Sequence, residues 1–530
     1  MSPSNYAVLT ACLALCTGNV NAQPASLNPP ASIAIHRDYN TLISDGSRYS
    51  ADPAPLVVGD TFYILSGRDE APVDAGGFKM LNWQIFEASN PASKDWKLYP
   101  DILRPEKVFA WAQEDGAWAS QIIQGRDKRF YLYAPVRAKS CDSDDCFGIG
   151  VAVADSPLGP YTDLHPEGPI LSQSTPVRNT IHNIDPTVLI DDDGRVYIYW
   201  GTFGQLKGIE LEADMKTPKG TPIDVTTLTG FFEAPWIFKR NGIYYMAYAA
   251  NNASPTSSCT EAVYHACQAY GTATSPLGPW TYRGVFLDPV TSATSHAGIV
   301  PYNDKWYIAY HNGDAKDGSH FRRSVAVDEL FWDDTVSPPA IKKVVQTRPP
   351  VDSTPTNNVA LTARITAFNT PLPVQYRLRA LTDGKVPPAP LPPDMWGNWT
   401  GRNDAPKGWI QYQWDKAVTI DGTSLYFWGD QPAGAGVGVA IPKAWRIEYW
   451  DEREWQAVSP TQPYTTQSGD YSKVAFKPVT TRCLRAVLDA STDGKTYAAF
   501  GVLEWQVSSR SKIIPPQSKP PIDGAPDCAK

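Results

Sequence analysis

Apolar and polar positions follow one phrase that recurs five times along the first 345 residues: a polar lead residue, an apolar run, a turn and an aromatic-rich run. The lead residues are Asp52, Trp118, Asp185, Glu233 and His296, which stand 66, 67, 48 and 63 positions apart. The turns are Val58-Gly59-Asp60, Gln124-Gly125-Arg126-Asp127, Asp191-Asp192-Asp193-Gly194, Lys239-Arg240-Asn241-Gly242 and Tyr302-Asn303-Asp304. Two β-prone runs joined by such Gly/Asn/Asp turns predict an antiparallel hairpin. A repeat of this length holds about four short strands, and radial repetition of four-stranded sheets makes a β-propeller. Five repeats predict five blades.

The outer halves of the blades repeat as well. Gly150-Val-Ala-Val-Ala-Asp-Ser-Pro-Leu-Gly-Pro-Tyr161 and Tyr270-Gly-Thr-Ala-Thr-Ser-Pro-Leu-Gly-Pro-Trp280 read as strand, Ser-Pro turn and an aromatic that packs between sheets, with Trp96 closing a degenerate copy. The alternating run from Phe321 to Trp332 is expected to complete the last blade. Residues 357–508 change character: β-prone runs at Gln411–Trp414, Thr423–Trp428, Trp445–Trp450 and Lys473–Phe476 are separated by polar turns and predict a β-sandwich. The expected organisation is a signal peptide over 1–22, a propeller over 30–345, a linker over 346–356, the sandwich over 357–508 and a Pro-rich tail over 509–530, an all-β chain throughout.

Composition agrees: 12% aromatic, 19% charged, 48 Pro and 38 Gly suit strands and turns. A net charge of −8 argues against a nucleic-acid partner, which needs a basic face. Nothing after the leader resembles a membrane span, and a monomer is expected. Residues 6–18 are apolar and precede Val20-Asn21-Ala22, an acceptable cleavage site, so the protein is expected to be secreted. Beyond that leader six cysteines remain, an even number that suits an oxidising compartment. Proximity suggests Cys141–Cys146, Cys259–Cys267 and Cys483–Cys528, although sequence alone leaves the connectivity open. Asn252-Ala-Ser and Asn398-Trp-Thr are candidate glycan acceptors.

In a propeller the first strand of each blade lines the axis, so Asp52, Asp185 and Glu233 are expected to converge. An Asp before Pro is ordinarily a turn residue, but the shared register of the three points to a site. Carboxylates crowded in one funnel raise at least one pKa, which lets a single site hold an acid and a base at neutral pH. That is hydrolase chemistry. Trp118 would form an apolar wall, and Phe109 or Trp111 would narrow the pocket. His296 could equally be a hydrogen-bonded core histidine, and Arg323 a structural ion pair. Asp191-Asp192-Asp193-Gly194 lacks the later bidentate Glu of a calcium loop and reads as a hairpin turn. No Ser-His-Asp order, phosphate loop, zinc pattern or sialidase Asp-box stands out.

Residues 36–345 resemble glycoside hydrolase family 43, five-bladed propellers acting on arabinose- and xylose-containing polysaccharides. The resemblance rests on Ala51-Asp52-Pro53, Asn183-Ile184-Asp185-Pro186-Thr187, Phe232-Glu233-Ala234-Pro235-Trp236, Ser295-His296-Ala297-Gly298 and Arg322-Arg323-Ser324, in the family's order. It implies that Asp52 is the general base, Glu233 the general acid and Asp185 the carboxylate that orients and tunes the acid. It further implies that His296 braces the funnel and Arg323 reaches the first-subsite sugar. No cofactor is implied, with a structural calcium near His296 as a variation in some members. One departure is Ala234, where many members carry Gly. The expected activity is inverting, exo-acting release of β-D-xylose or α-L-arabinofuranose from a polysaccharide or oligosaccharide. An endo-acting arabinanase and a non-catalytic glycan-binding propeller are the alternatives. Loops 67–82 and 104–117 look long enough to wall off a pocket. The second domain looks like a discoidin-type sandwich, with Trp396, Trp399 and Trp428 as candidate sugar-stacking or core residues.

Overall fold

The computed structural model describes residues 30–141, 145–251, 259, 267–348, 352–369, 378–391, 394–400, 404–434, 438–516 and 528. Five antiparallel sheets follow one another in the chain, and apart from one added outer strand in the first, each runs outward from its innermost strand. Those inner strands, Ala51–Val58, Gln121–Gln124, Thr187–Ile190, Phe231–Arg240 and Ala297–Tyr302, touch in turn around a closed ring. This is the expected five-bladed propeller. The hairpins form where the turn chemistry placed them. In blade four, Phe231–Arg240 returns as Ile243–Ala250 through Asn241-Gly242, both at positive φ, the two-residue turn whose twist matches that of the strands.

The ring is closed by its own beginning. Blade five has three consecutive strands, Ala297–Tyr302, Lys305–Asn312 and Ser324–Leu330. Its outer edge is covered by residues 40–42: Leu42 N–H donates to Val325 O (2.8 Å) and Val327 N–H to Asn40 O (3.0 Å). The run after Phe321 is therefore the third strand of that blade rather than its last. Ile33–His36 continues onto the outer edge of blade one, against Asp95–Leu103. The aromatics after the Ser-Pro turns pack as expected, with Trp96, Tyr161 and Trp280 all buried.

The C-terminal part is a folded sheet in the order Thr356–Asn358, Gly501–Ile513, Lys407–Phe427, Tyr471–Asp489, Ala444–Trp450, Trp455–Ala457. Lys407–Phe427 pairs with Arg364–Ala367 near its start and with Gly501–Ile513 near its end, with register shifts between. One bent strand thus serves both layers of a sandwich. Tyr412 and Trp505 stack at 4.0 Å in its core. Trp396 is fully buried there, so it is a core residue and not a sugar-stacking one, while Trp399 and Trp428 are half-buried against Met395 and Leu503. Asn398 is also buried, with its Oδ1 accepting from Phe500 N–H (2.7 Å), so the folded protein does not present this side chain to solvent for a glycan. The Asn252 acceptor and the leader over 1–22 lie outside the described residues. All three disulfides pair as proximity suggested. The two parts of the chain meet beside the propeller loop over 313–323, where Lys385 Nζ donates to Gly313 O (3.0 Å) and His320 meets Asp394 (2.9 Å). Among the described residues no helix is long and apolar enough to cross a membrane.

Candidate active site

On three of the five blades the same kink sits in or just before the inner strand. Asp52, Asp185 and Ala234 have φ of 55°, 56° and 56°, and each is followed directly by proline. Non-glycine residues seldom adopt positive φ, and proline further restricts the residue before it. Strain repeated at one place on three blades marks a site rather than a folding need. The kink also resolves the register. Ala234, not Glu233, is the blade-four counterpart of Asp52 and Asp185, and Glu233 projects from one residue earlier. A left-handed backbone costs an L-residue about 1–2 kcal/mol and glycine almost nothing, so the family resemblance's Gly at this position has a physical reason. In the kinked conformation Ala234 N–H donates to Asp185 Oδ2 (3.1 Å).

The three carboxylates share a cavity of about 430 Å³ with Trp118, His296 and Arg323, the residues the sequence singled out. Phe78, Met80 and Thr294 also line it. Arg323 is buried and bidentate to Asp69, with Nε to Oδ2 at 2.9 Å and Nη2 to Oδ1 at 3.0 Å, and its Nη1 donates to Asp52 Oδ1 (3.1 Å). Phe78 covers the guanidinium at 4.7 Å. Beneath Asp52 lies His311, fully buried, with Nδ1 3.3 Å from Asp52 Oδ1 and Nε2 donating to Thr294 O (3.0 Å). Burial alone would raise the Asp52 carboxyl. The Arg323 guanidinium, then His311, outweigh it and hold Asp52 well below the usual carboxylate range, so it stays ionised.

Asp185 is driven the other way. Burial, then the neighbouring Glu233 and Asp52 carboxylates, push it well above its ordinary value. Burial and crowding by Glu233 and Asp52 thus favour the protonated form of Asp185. Glu233 Oε2 accepts from Thr202 Oγ1 (2.8 Å), which fixes its direction. Trp118 leans on Phe147 at 4.5 Å and forms one wall.

Phe109 and Trp111 do not reach the cavity. Phe109 is fully buried in the core and Trp111 Nε1 donates to Asp163 Oδ2 (3.0 Å). The loop that holds them instead braces the other one, through Ala117 N–H to Met80 O (3.0 Å). His296 lies 3.8 Å from Asp52 Oδ1, and burial, opposed by Asp52, pushes its imidazole down to about 4. The positive charge beside Asp52 comes from Arg323, and His296 offers nitrogen where calcium takes oxygen ligands. The fit to a calcium ion is poor, and among the described residues no cluster of three or more His, Cys, Asp and Glu is arranged to hold a metal.

Asp69, His311, Thr202 and Thr294 escaped the sequence reading. His311 left a faint signal, a polar residue on the face of Tyr307 and Ala309 in a buried strand. Asp69 left none within its loop. Asp69→Asn removes half of a bidentate buried pair, a loss of about 3–5 kcal/mol. Denaturant midpoints check this, and a loss under about 1 kcal/mol would show that the pair is dispensable. The His296 shift gives a second expectation. The unfolded chain binds a proton at His296 below pH about 6.5, which the folded site refuses until about 4. Stability should therefore fall as pH drops through that window, and His296→Gln should flatten the fall in Tm. Equal slopes in both proteins would contradict the assignment.

A propeller with three carboxylates in a walled pocket, one held ionised by an arginine and one pushed up by burial and its neighbours, has the makings of a glycoside hydrolase. The family Glycosyl hydrolases family 43 matches residues 46–336, over half of the chain, and the chain belongs to it. It is 30% identical over 329 residues to the xylosidase/arabinosidase of Bacteroides ovatus, covering 54% of this chain and 92% of that protein. It is likewise 30% identical over 331 residues to the beta-xylosidase of Xylanibacter ruminicola, covering 54% and 95%. Against the arabinoxylan arabinofuranohydrolase of Paenibacillus polymyxa the figures are 34% over 314 residues, 54% and 46%.

Proposed function

We propose that this enzyme removes single pentose residues, β-D-xylose or α-L-arabinofuranose, from the non-reducing ends or side chains of hemicellulose such as arabinoxylan, with inversion. The observation that carries the reading is the convergence in one pocket of three carboxylates in opposed surroundings: Asp52 against the Arg323 guanidinium, and Asp185 buried beside Glu233 and pushed up. Glu233 gives its proton to the glycosidic oxygen as the bond from that oxygen to the anomeric carbon breaks. Asp52 takes a proton from the water whose oxygen attacks the opposite face. Inversion needs about 6.5–9.5 Å between the two carboxyls so that the water fits. Arg323, locked by Asp69 and also bonded to Thr294, keeps Asp52 charged, while Trp118, Phe78 and Met80 enclose one residue. That enclosure by loop 67–82 supports exo over endo action.

Three disulfides fit an oxidising compartment, so we place the enzyme outside the cytoplasm. The division into a propeller over 30–345, a linker over 346–356 and a sandwich over 357–508 is part of the same proposal, with the sandwich as an accessory glycan-binding unit. The test is hydrolysis of paired aryl β-D-xyloside and α-L-arabinofuranoside, with proton NMR of the first-formed sugar. Release of one pentose as the inverted anomer is expected. Retention, or oligosaccharides released from within a polymer, would overturn the reading.

A further inference from the structure

On the Glu233 side of the pocket, the turn between Val196–Trp200 and Lys207–Leu211 is tied twice to the strand that carries the acid. Thr202 Oγ1 donates to Glu233 Oε2 (2.8 Å), and Gly204 N–H donates to Phe232 O (3.0 Å). Between those two anchors stands Phe203, at φ 51° and 61% exposed. A bulky residue in the left-handed region is an outlier, and burial of the ring does not compensate for the strain. The ring is buttressed edge-to-face by His182 (5.1 Å) and Phe232 (5.6 Å), and His182 lies against Asp145 (2.5 Å). Beyond it a groove of about 860 Å³ runs past Gln205, Thr226 and the Lys207–Asp224 ion pair (2.5 Å), polar groups that can bond sugar hydroxyls.

We propose that Phe203 is the platform on which the sugar of the leaving group stacks, with the groove carrying the next residues of the polymer. The direction follows from the chemistry. The general acid must reach the leaving oxygen, so the leaving sugar lies on the side of Glu233, and Phe203 is the exposed ring coupled to that side chain through Thr202. The pentose to be released is walled by Phe78, Met80 and Trp118 instead. The apolar C–H face of a pyranose suits a rigid aromatic surface, and polar side chains beyond it suit hydroxyls.

The inference rests on the pentoside-hydrolase reading and can fail separately from it. Wild type, Phe203→Ala, Phe203→Tyr and Phe203→Leu are compared on xylotriose or an arabinosylated xylotriose and on the matching pentosyl fluoride, whose leaving group is a single atom. The quantity measured is the ratio of kcat/KM on the two substrates, with melting curves to confirm folding. The ratio should fall about tenfold in Phe203→Ala, return in Phe203→Tyr and stay low in Phe203→Leu. A ratio unchanged in Phe203→Ala, or restored as fully by Leu as by Tyr, overturns the platform while the hydrolase stands. A wild type inert on both substrates overturns the pentoside reading and the platform with it.

Discussion

Glu233→Gln should lower kcat/KM on substrates with poor leaving groups by about 10²–10⁴-fold, the usual worth of general acid catalysis, without unfolding the protein. Gln keeps the shape and can still accept from Thr202, so the turn that carries Phe203 stays tied. The loss should shrink as the leaving group becomes more acidic, because an aryloxide that departs unaided has less need of a proton. The substitution also removes one of the two carboxylates that push Asp185 up. In the wild type, activity should fall on the alkaline side as the acid side of the pocket, where Asp185 is held high, gives up its proton. In the variant that limb should disappear along with the activity it reported. A loss of equal size across leaving groups would assign Glu233 to positioning rather than to proton transfer.

How much of this was legible before the structure depended on the range of the interaction. The blades were readable because each hairpin is local: Asn241-Gly242 dictates its turn, and the alternating runs on either side dictate their faces. The carboxylates were readable because radial repetition turns a position in sequence into a position on a ring. Even there the reading was one residue out in blade four, since only the backbone reveals that Ala234 shares the kink of Asp52 and Asp185. What stayed hidden was made by contacts between distant segments. Residues 40–42 close blade five across almost the whole propeller, and Asp69 reaches Arg323 from a loop whose composition says nothing of it. Phe109 and Trp111 were misplaced because an apolar aromatic in a long loop can face either the pocket or the seam between blades. The small neighbours Gly150 and Ala152 leave room in the seam, where a Cβ on Gly150 would strike the Phe109 ring at 2.7 Å. Trp396 went to the core for the same reason that most large aromatics do.

Asp52→Asn should be as damaging as the loss of the acid, by about 10²–10⁴-fold, but with a different signature. The base works on water, whatever the leaving group, so the loss should be uniform from activated aryl glycosides to oligosaccharides. The fold should survive, because Arg323 keeps its bidentate partner Asp69 when Asp52 becomes neutral. The depressed pKa of Asp52 has a second consequence. Arg323 guarantees that the base is ionised, yet a carboxylate held so low is a weak base, and proton transfer from water is correspondingly uphill. Catalysis then depends on orientation: Asp52 is pinned by Arg323 and lies against His311 and His296, so the water it binds is held on one line toward the anomeric carbon. Because Asp52 remains ionised far into acid, no acid limb from this group should appear in the pH–rate profile above pH about 4, and any decline there should follow stability instead. Measuring kcat/KM for both variants across a leaving-group series decides the assignment. Parallel losses in Asp52→Asn beside leaving-group-dependent losses in Glu233→Gln are expected, and the reverse pattern would exchange the two roles.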